Sequence, residues 1–234
     1  MFHDIIKSLG GIIRAPGNTL GNLMKEKKWL PLFLLILLTV ALYTNITLSL
    51  RMNKAAENPW VSEYFPGEQL VDFQSDITLL KRIMVTSAAL FGITLNFIIG
   101  AFFLYLFFGI AGSEGYYTHF FTLVVNASLI DTLLPLVRDV FSIFLKINLG
   151  AITNLLILFP SLKPLSLDFW LVSQVEFFFI WYLVAIAAGV SVFAGMKLKK
   201  CLFISFLYFL FKSVISAFTS YLGIKILVSM MSQG

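Results

Sequence analysis

Asn96, Asp131, Arg138, Glu176 and Lys212 stand inside stretches of sequence that are otherwise almost wholly apolar. An unpaired charge at the centre of a bilayer costs about 3 kcal/mol on insertion scales, so residues of this kind are paired, functional or both. Lys212 lies 11 residues beyond Cys201, which at about 1.5 Å per residue sets it roughly 16 Å along a helix. Asp131, counted from Thr118, comes out at about 20 Å, and Asn96, counted back from Ile110, at about 21 Å. Asn96, Asp131 and Lys212 are thus predicted to share one intramembrane polar layer near the midplane. Arg138 and Glu176 fall at roughly 28 to 30 Å and form a second predicted charge pair nearer the opposite surface. One acid facing one base neutralises both, so internal ties between helices are the first expectation and an ion or proton path the alternative.

Other chemistry is hard to place on this chain. It has no His-Glu-x-x-His, no Gly-x-Ser-x-Gly, no phosphate-binding loop and no dinucleotide turn. Asp131 has no second aspartate at its depth, as an intramembrane aspartyl protease would need. Cys201 is the single cysteine and there are two histidines, which excludes an internal disulfide and a zinc site. We therefore expect no enzyme activity, no catalytic residue, no cofactor and no metal.

The basic residues cluster beside apolar runs: Lys25, Lys27 and Lys28 before the first, and Lys197, Lys199 and Lys200 between the last two. Headgroup contact and topology explain these interfacial lysines and the net charge of +5 without a nucleic acid. Both clusters fall on one side of the membrane in a five-span arrangement, which makes the N-terminus cytoplasmic. Glu57, Glu63, Glu68, Asp72 and Asp76, with Trp60, Tyr64 and Phe65, read as a solvated outer loop with aromatic anchors at headgroup level.

The elements that carry these residues follow from composition. Of 234 residues, 59% are hydrophobic and 12% charged, about half the charge of a soluble domain, and mean hydropathy is +0.92. The apolar runs lack the alternation of barrel strands and are long enough for helices across a bilayer. The fold class is all-α: a polytopic transmembrane helical bundle of about five spans with an N-terminal interfacial amphipathic arm. Residues 1–28 form the arm, with Phe2, Ile5, Ile6, Leu9, Ile12 and Ile13 at helical spacing. Residues 29–234 hold spans at about Trp29–Leu50, Ile83–Ile110, Phe120–Val140, Phe169–Ala194 and Cys201–Val228. Residues 146–168 are too short and too interrupted by Pro160 and Pro164 for a sixth crossing, and read as interfacial or re-entrant. Ala88 with Gly92, and Ala185 with Gly189, have the four-residue spacing of small residues that lets helices approach.

In Pro16, in Lys27-Lys28-Trp29-Leu30-Pro31, in the Gly-bearing turn before Tyr116, and in Trp181 followed by Gly189 ahead of the basic turn at Lys197, the chain resembles the Yip domain family. These are five-span proteins named for interaction with Ypt and Rab GTPases. Eukaryotic members carry a longer cytosolic segment than the 28 residues here, so the resemblance implies a bacterial-type member. It further implies a non-enzymatic accessory subunit, scaffold or membrane-organising factor in the cell membrane. Its partners would be lipids and other membrane proteins, a MacB-type ABC exporter among them, or further copies of itself. A small transporter or channel using the charged layer is the alternative.

Overall fold

A computed structural model of the chain describes the backbone of residues 8, 10–56, 79–145, 152–162 and 166–231, and their side chains except at 47–56, 81, 143–144, 220 and 223–231. The elements in order are α1 (Pro16–Glu26), α2 (Leu30–Ala56), α3 (Leu79–Ile110), α4 (Tyr117–Ser128), a single π-helical turn (Leu129–Leu133), α5 (Leu134–Leu145), a 3₁₀ turn (Leu155–Leu158), α6 (Leu167–Ser173), α7 (Phe177–Ala194) and α8 (Leu198–Met231). No strand occurs among the described residues; Asn154 and Glu176 make one isolated antiparallel bridge. The protein is an all-helical transmembrane bundle. Among the described residues, four stretches, Arg82–Ile110, Tyr117–Ser142, Phe177–Ala194 and Leu198–Thr219, are long and apolar enough to cross a membrane. A fifth is added if α1 and the start of α2, bent by 110° at Lys27–Trp29, count as one span. The acidic segment from Glu57 to Asp76 lies outside the described residues, as do Phe2, Ile5, Ile6 and Leu9.

The helices carry their periodicity inside out, as lipid-facing helices do. On α2, Leu34, Leu38, Leu42 and Ile46 are exposed at four-residue spacing while Leu32, Ile36 and Val40 are buried. On α8, Cys201, Ile204, Ser205, Tyr208, Ser213 and Ala217 are buried, and Phe203, Phe206, Leu210, Val214 and Phe218 are exposed. A water-soluble surface could not hold such stripes of large apolar side chains.

The chain forms two compact units, residues 35–96 and residues 1–34 with 97–234. In the smaller one, Asn45 Nδ2 donates to Thr86 Oγ1 at 3.0 Å and to the Ala41 carbonyl at 2.8 Å. A polar tie between helices takes the place of a bond to water that lipid cannot supply.

The larger unit is organised by α1. Its apolar face is turned onto α7 and α4: Leu20 and Met24 are fully buried, as is Ile12 shortly before the helix. The reason is a seam of small residues. A Cβ on Gly17 would lie 3.3 Å from Ala188, and one on Gly189 would lie 2.9 Å from Leu20 Cβ and 3.0 Å from Leu123 Cδ1. Glycine at Gly17, Gly21 and Gly189 lets the backbones of α1 and α7 approach beyond what side chains would allow. α1 ends at Lys27, which adopts the left-handed conformation (φ 53°). Lys28 N then bonds the Leu23 carbonyl and Lys27 N that of Met24, closing the helix end. Asn126 Nδ2 fastens the following turn by donating to the Lys28 carbonyl at 2.9 Å.

The expected fourth span is not one helix. It breaks at Gln174–Glu176, leaving the seven-residue α6 and the 18-residue α7. Glu176 is extended (φ −118°, ψ 145°), and Leu155 N bonds the Val175 carbonyl at 3.0 Å. Asn154 holds the return from both sides, its Nδ2 donating to the Ser173 carbonyl and its Oδ1 accepting from Leu156 N, each at 2.9 Å. α7 alone is still about 27 Å long, close to the thickness of a hydrocarbon core.

Candidate functional site

The polar residues predicted inside spans converge at two levels of the larger unit, except for one. Asn96 is exposed and belongs to residues 35–96; the site is built without it.

At the deeper level, Asp131 sits in the π-helical turn that interrupts the third span. Such a turn inserts an extra residue and rotates the next stretch of helix, and it recurs at functional positions. Thr132 Oγ1 donates to Asp131 Oδ1 at 3.2 Å. Lys212 and Asp131 are within electrostatic reach of each other. They are not a contact ion pair: the Lys212 ammonium lies over aromatic faces, 4.7 Å from the centre of Phe179 and 5.7 Å from that of Tyr182. These rings are nearly parallel, 16° apart with centres separated by 5.6 Å. A cation over such a face gains about 0.5 to 2 kcal/mol, the more so where water is excluded.

Around this core stand hydroxyls. Tyr182 and Tyr208 are 2% and 1% exposed, and both feel the Asp131 carboxylate. The Tyr208 oxygen faces that of Tyr182 but makes no hydrogen bond of good geometry. Ser205 Oγ and Ser213 Oγ, on the same helix, are likewise buried without a partner. Gly100 on α3 makes room for the Tyr208 hydroxyl, which a Cβ there would approach to 3.1 Å.

At the shallower level, Arg138 on α5 pairs with Glu176, bringing the second predicted charge pair together. It also bonds Asp139 through Nε at 3.0 Å and Nη2 at 2.8 Å, and Thr153 Oγ1 at 2.7 Å. The Arg138 side chain is 15% exposed, and its guanidinium fork uses several donors at once, which a lysine could not match.

With that geometry in place, comparison with known proteins is brief. The chain matches no protein-family model, no curated protein and no solved structure. Its chemistry is therefore argued from its own residues.

The lysine clusters are exposed and are held at one end of the unit. Lys200 Nζ donates to the Ala111 carbonyl at 2.7 Å, and Lys27 acts on His119, whose Nδ1 accepts from Tyr116 N at 3.0 Å. Lys27 and Lys200 thus share the end marked by the Ala111–Tyr116 turn. Sequence reasoning did not single out Asp139, Thr153, Phe179, Tyr182 or Tyr208. Asp139 was legible as the neighbour of Arg138, and Ser205, Tyr208 and Lys212 as one face of a helix. Thr153 carried no signal, because only the chain return at Asn154 brings it to Arg138.

Proposed function

We propose that this chain is a non-enzymatic multi-pass membrane protein that serves as an accessory subunit, scaffold or membrane-organising factor, with its N-terminus cytoplasmic in a cell membrane. The observation that carries this reading is that interior charges are engaged by side chains of neighbouring helices. Arg138 is held by Glu176, Asp139 and Thr153, and the Lys212 ammonium by two rings near Asp131. Groups so engaged tie helices together, and the broad apolar faces left outside on α2 and α8 suit contact with lipid and with other membrane helices. The Yip-type resemblance points the same way and makes a MacB-type ABC exporter one candidate partner. Purification from native membranes in mild detergent, followed by mass spectrometry, tests it: a stoichiometric membrane partner that survives quantitative washing is expected.

A small transporter or channel is the second reading, favoured by the interrupted helices. The π turn at Asp131 and the break at Glu176 are irregular backbone beside charged residues, which in membranes is tolerated where it is buried in protein or lines a path. Sustained ion flux through liposomes containing only this chain would favour it over the scaffold.

A further inference from the structure

The ammonium of Lys212 is cradled by rings while a carboxylate stands nearby without touching it. Phe179 and Tyr182, one turn apart on α7, present one nearly continuous aromatic surface. From the π turn the Asp131 carboxylate acts electrostatically on Lys212, Tyr182 and Tyr208, and the Tyr208 hydroxyl, 1% exposed, makes no hydrogen bond of good geometry. An alkylammonium has three N–H donors and a compact charge. Ring faces, a carboxylate and a phenol oxygen are the groups that would take up that charge and those donors. Lys212 is itself such a group on a flexible four-carbon stem, so the fit to an ammonium is seen in the fold.

The same residues suit other cations poorly. A hard metal ion wants six or more oxygens, and two ring faces supply none. Asp131 and Lys212 both keep some exposure, and next to Lys212 the surface of α8 is apolar, with Phe211 38% and Ile215 43% exposed. A ligand approaching from that side must carry an apolar body of its own.

We propose that Phe179, Tyr182 and Asp131 form a membrane-embedded binding site for a protonated amine with an apolar body, for which Lys212 is the tethered competitor. This goes beyond the accessory role and does not depend on it. A scaffold with this site would respond to hydrophobic amines dissolved in the bilayer; a transporter with it would have them as cargo.

The test uses the full chain in nanodiscs of neutral lipid, with n-octylammonium as ligand, n-butylammonium as the severed lysine side chain, and n-butanol as the uncharged control. Saturable binding of octylammonium to the wild type, read as a concentration-dependent rise in Tm, is expected. It should weaken about tenfold or more in Asp131→Asn, which loses the charge, and it should tighten in Lys212→Ala, which loses the competitor. Lys212→Ala should melt below the wild type and recover with butylammonium but not with butanol. Should Asp131→Asn fail to fold, Phe179→Leu removes one ring and is expected to weaken binding as well. Absence of saturable binding to the wild type, equal binding in whichever of those two variants folds, or rescue by butanol as large as by butylammonium would each overturn the proposal.

Discussion

A Cβ on Gly21 of α1 would stand 2.8 Å from Cγ1 and 2.9 Å from Cβ of Val192 on α7. Val192 Cβ is fixed to its helix backbone and cannot swing aside, so a side chain at position 21 must separate the two helices. Gly21→Leu is expected to destabilise the bundle by about 1 to 3 kcal/mol through overpacking, seen as a lower Tm in detergent. Gly92, whose Cβ would meet nothing within 4 Å, is the control, and Gly92→Ala should leave Tm unchanged or raise it by the helix preference for alanine. Equal melting of Gly21→Leu and wild type would mean that α1 does not sit against α7.

This seam shows how far the sequence could be read. Helical class, the run of long apolar helices and the shared level of Arg138 and Glu176 follow from hydropathy and a rise per residue, which are local properties. Four-residue spacing of small residues is local too, but it does not say which pairs are used. Gly189 lies in the seam, whereas Gly92 meets nothing. The arm has an apolar face and lysines, which suit a leaflet and a helix partner equally, so the packing of Leu20 on Gly189 was not legible in them. The break at Glu176 was illegible for a related reason: Phe169–Ala194 is apolar throughout, and the chain departs from helix there because Asn154 and Arg138, distant in sequence, draw Gln174–Glu176 out of it.

Arg138 should be the least replaceable of the interior charges. Arg138→Met takes the ionic partner from Glu176, at 25% side-chain exposure, and one ionic contact from Asp139, at 32%. That exposure keeps the loss to about 1 to 3 kcal/mol, below the figure for a fully buried pair. Arg138→Met combined with Glu176→Leu should melt above Arg138→Met alone, since no Glu176 carboxylate is then left without its arginine. Strictly additive losses across that cycle would remove the pair as a tie between α5 and α7.

The proposed five-span topology, with a cytoplasmic N-terminus, would set the Glu57–Asp76 segment and the C-terminus on the outer side. Single cysteines, Glu63→Cys and Gln233→Cys, introduced into a Cys201→Ser background, test it with a membrane-impermeant thiol reagent. Both are expected to label from outside in intact cells. Labelling of both from the inside would favour treating α1 with α2 as something other than a crossing, and labelling from opposite sides would mean an odd number of crossings after Glu63; either outcome rules out this arrangement.

The relation between Asp131 and Lys212 differs in kind from that between Arg138 and Glu176, and stability measurements can tell the two apart. A contact pair would lose most of its worth when either partner goes. Here the ammonium rests mainly on Phe179, 4.7 Å away, and on Tyr182. Asp131→Leu should therefore leave Lys212 with its ring partners, and the coupling in the cycle Asp131→Leu, Lys212→Leu and the double variant should lie toward the lower part of the usual range of about 0.5 to 3 kcal/mol for interacting residues. Phe179→Leu also loses ring packing, so its raw Tm change says little about the cation. Comparing Phe179→Leu in the wild-type and Lys212→Leu backgrounds subtracts that packing, and the remainder should be about 0.5 to 2 kcal/mol in favour of the ring–ammonium contact. If this remainder is zero while the Asp131 cycle couples strongly, the carboxylate and not the aromatic face holds Lys212. The double variant Asp131→Leu/Lys212→Leu should then melt close to the wild type, as expected when both halves of a buried ion pair are replaced by apolar residues.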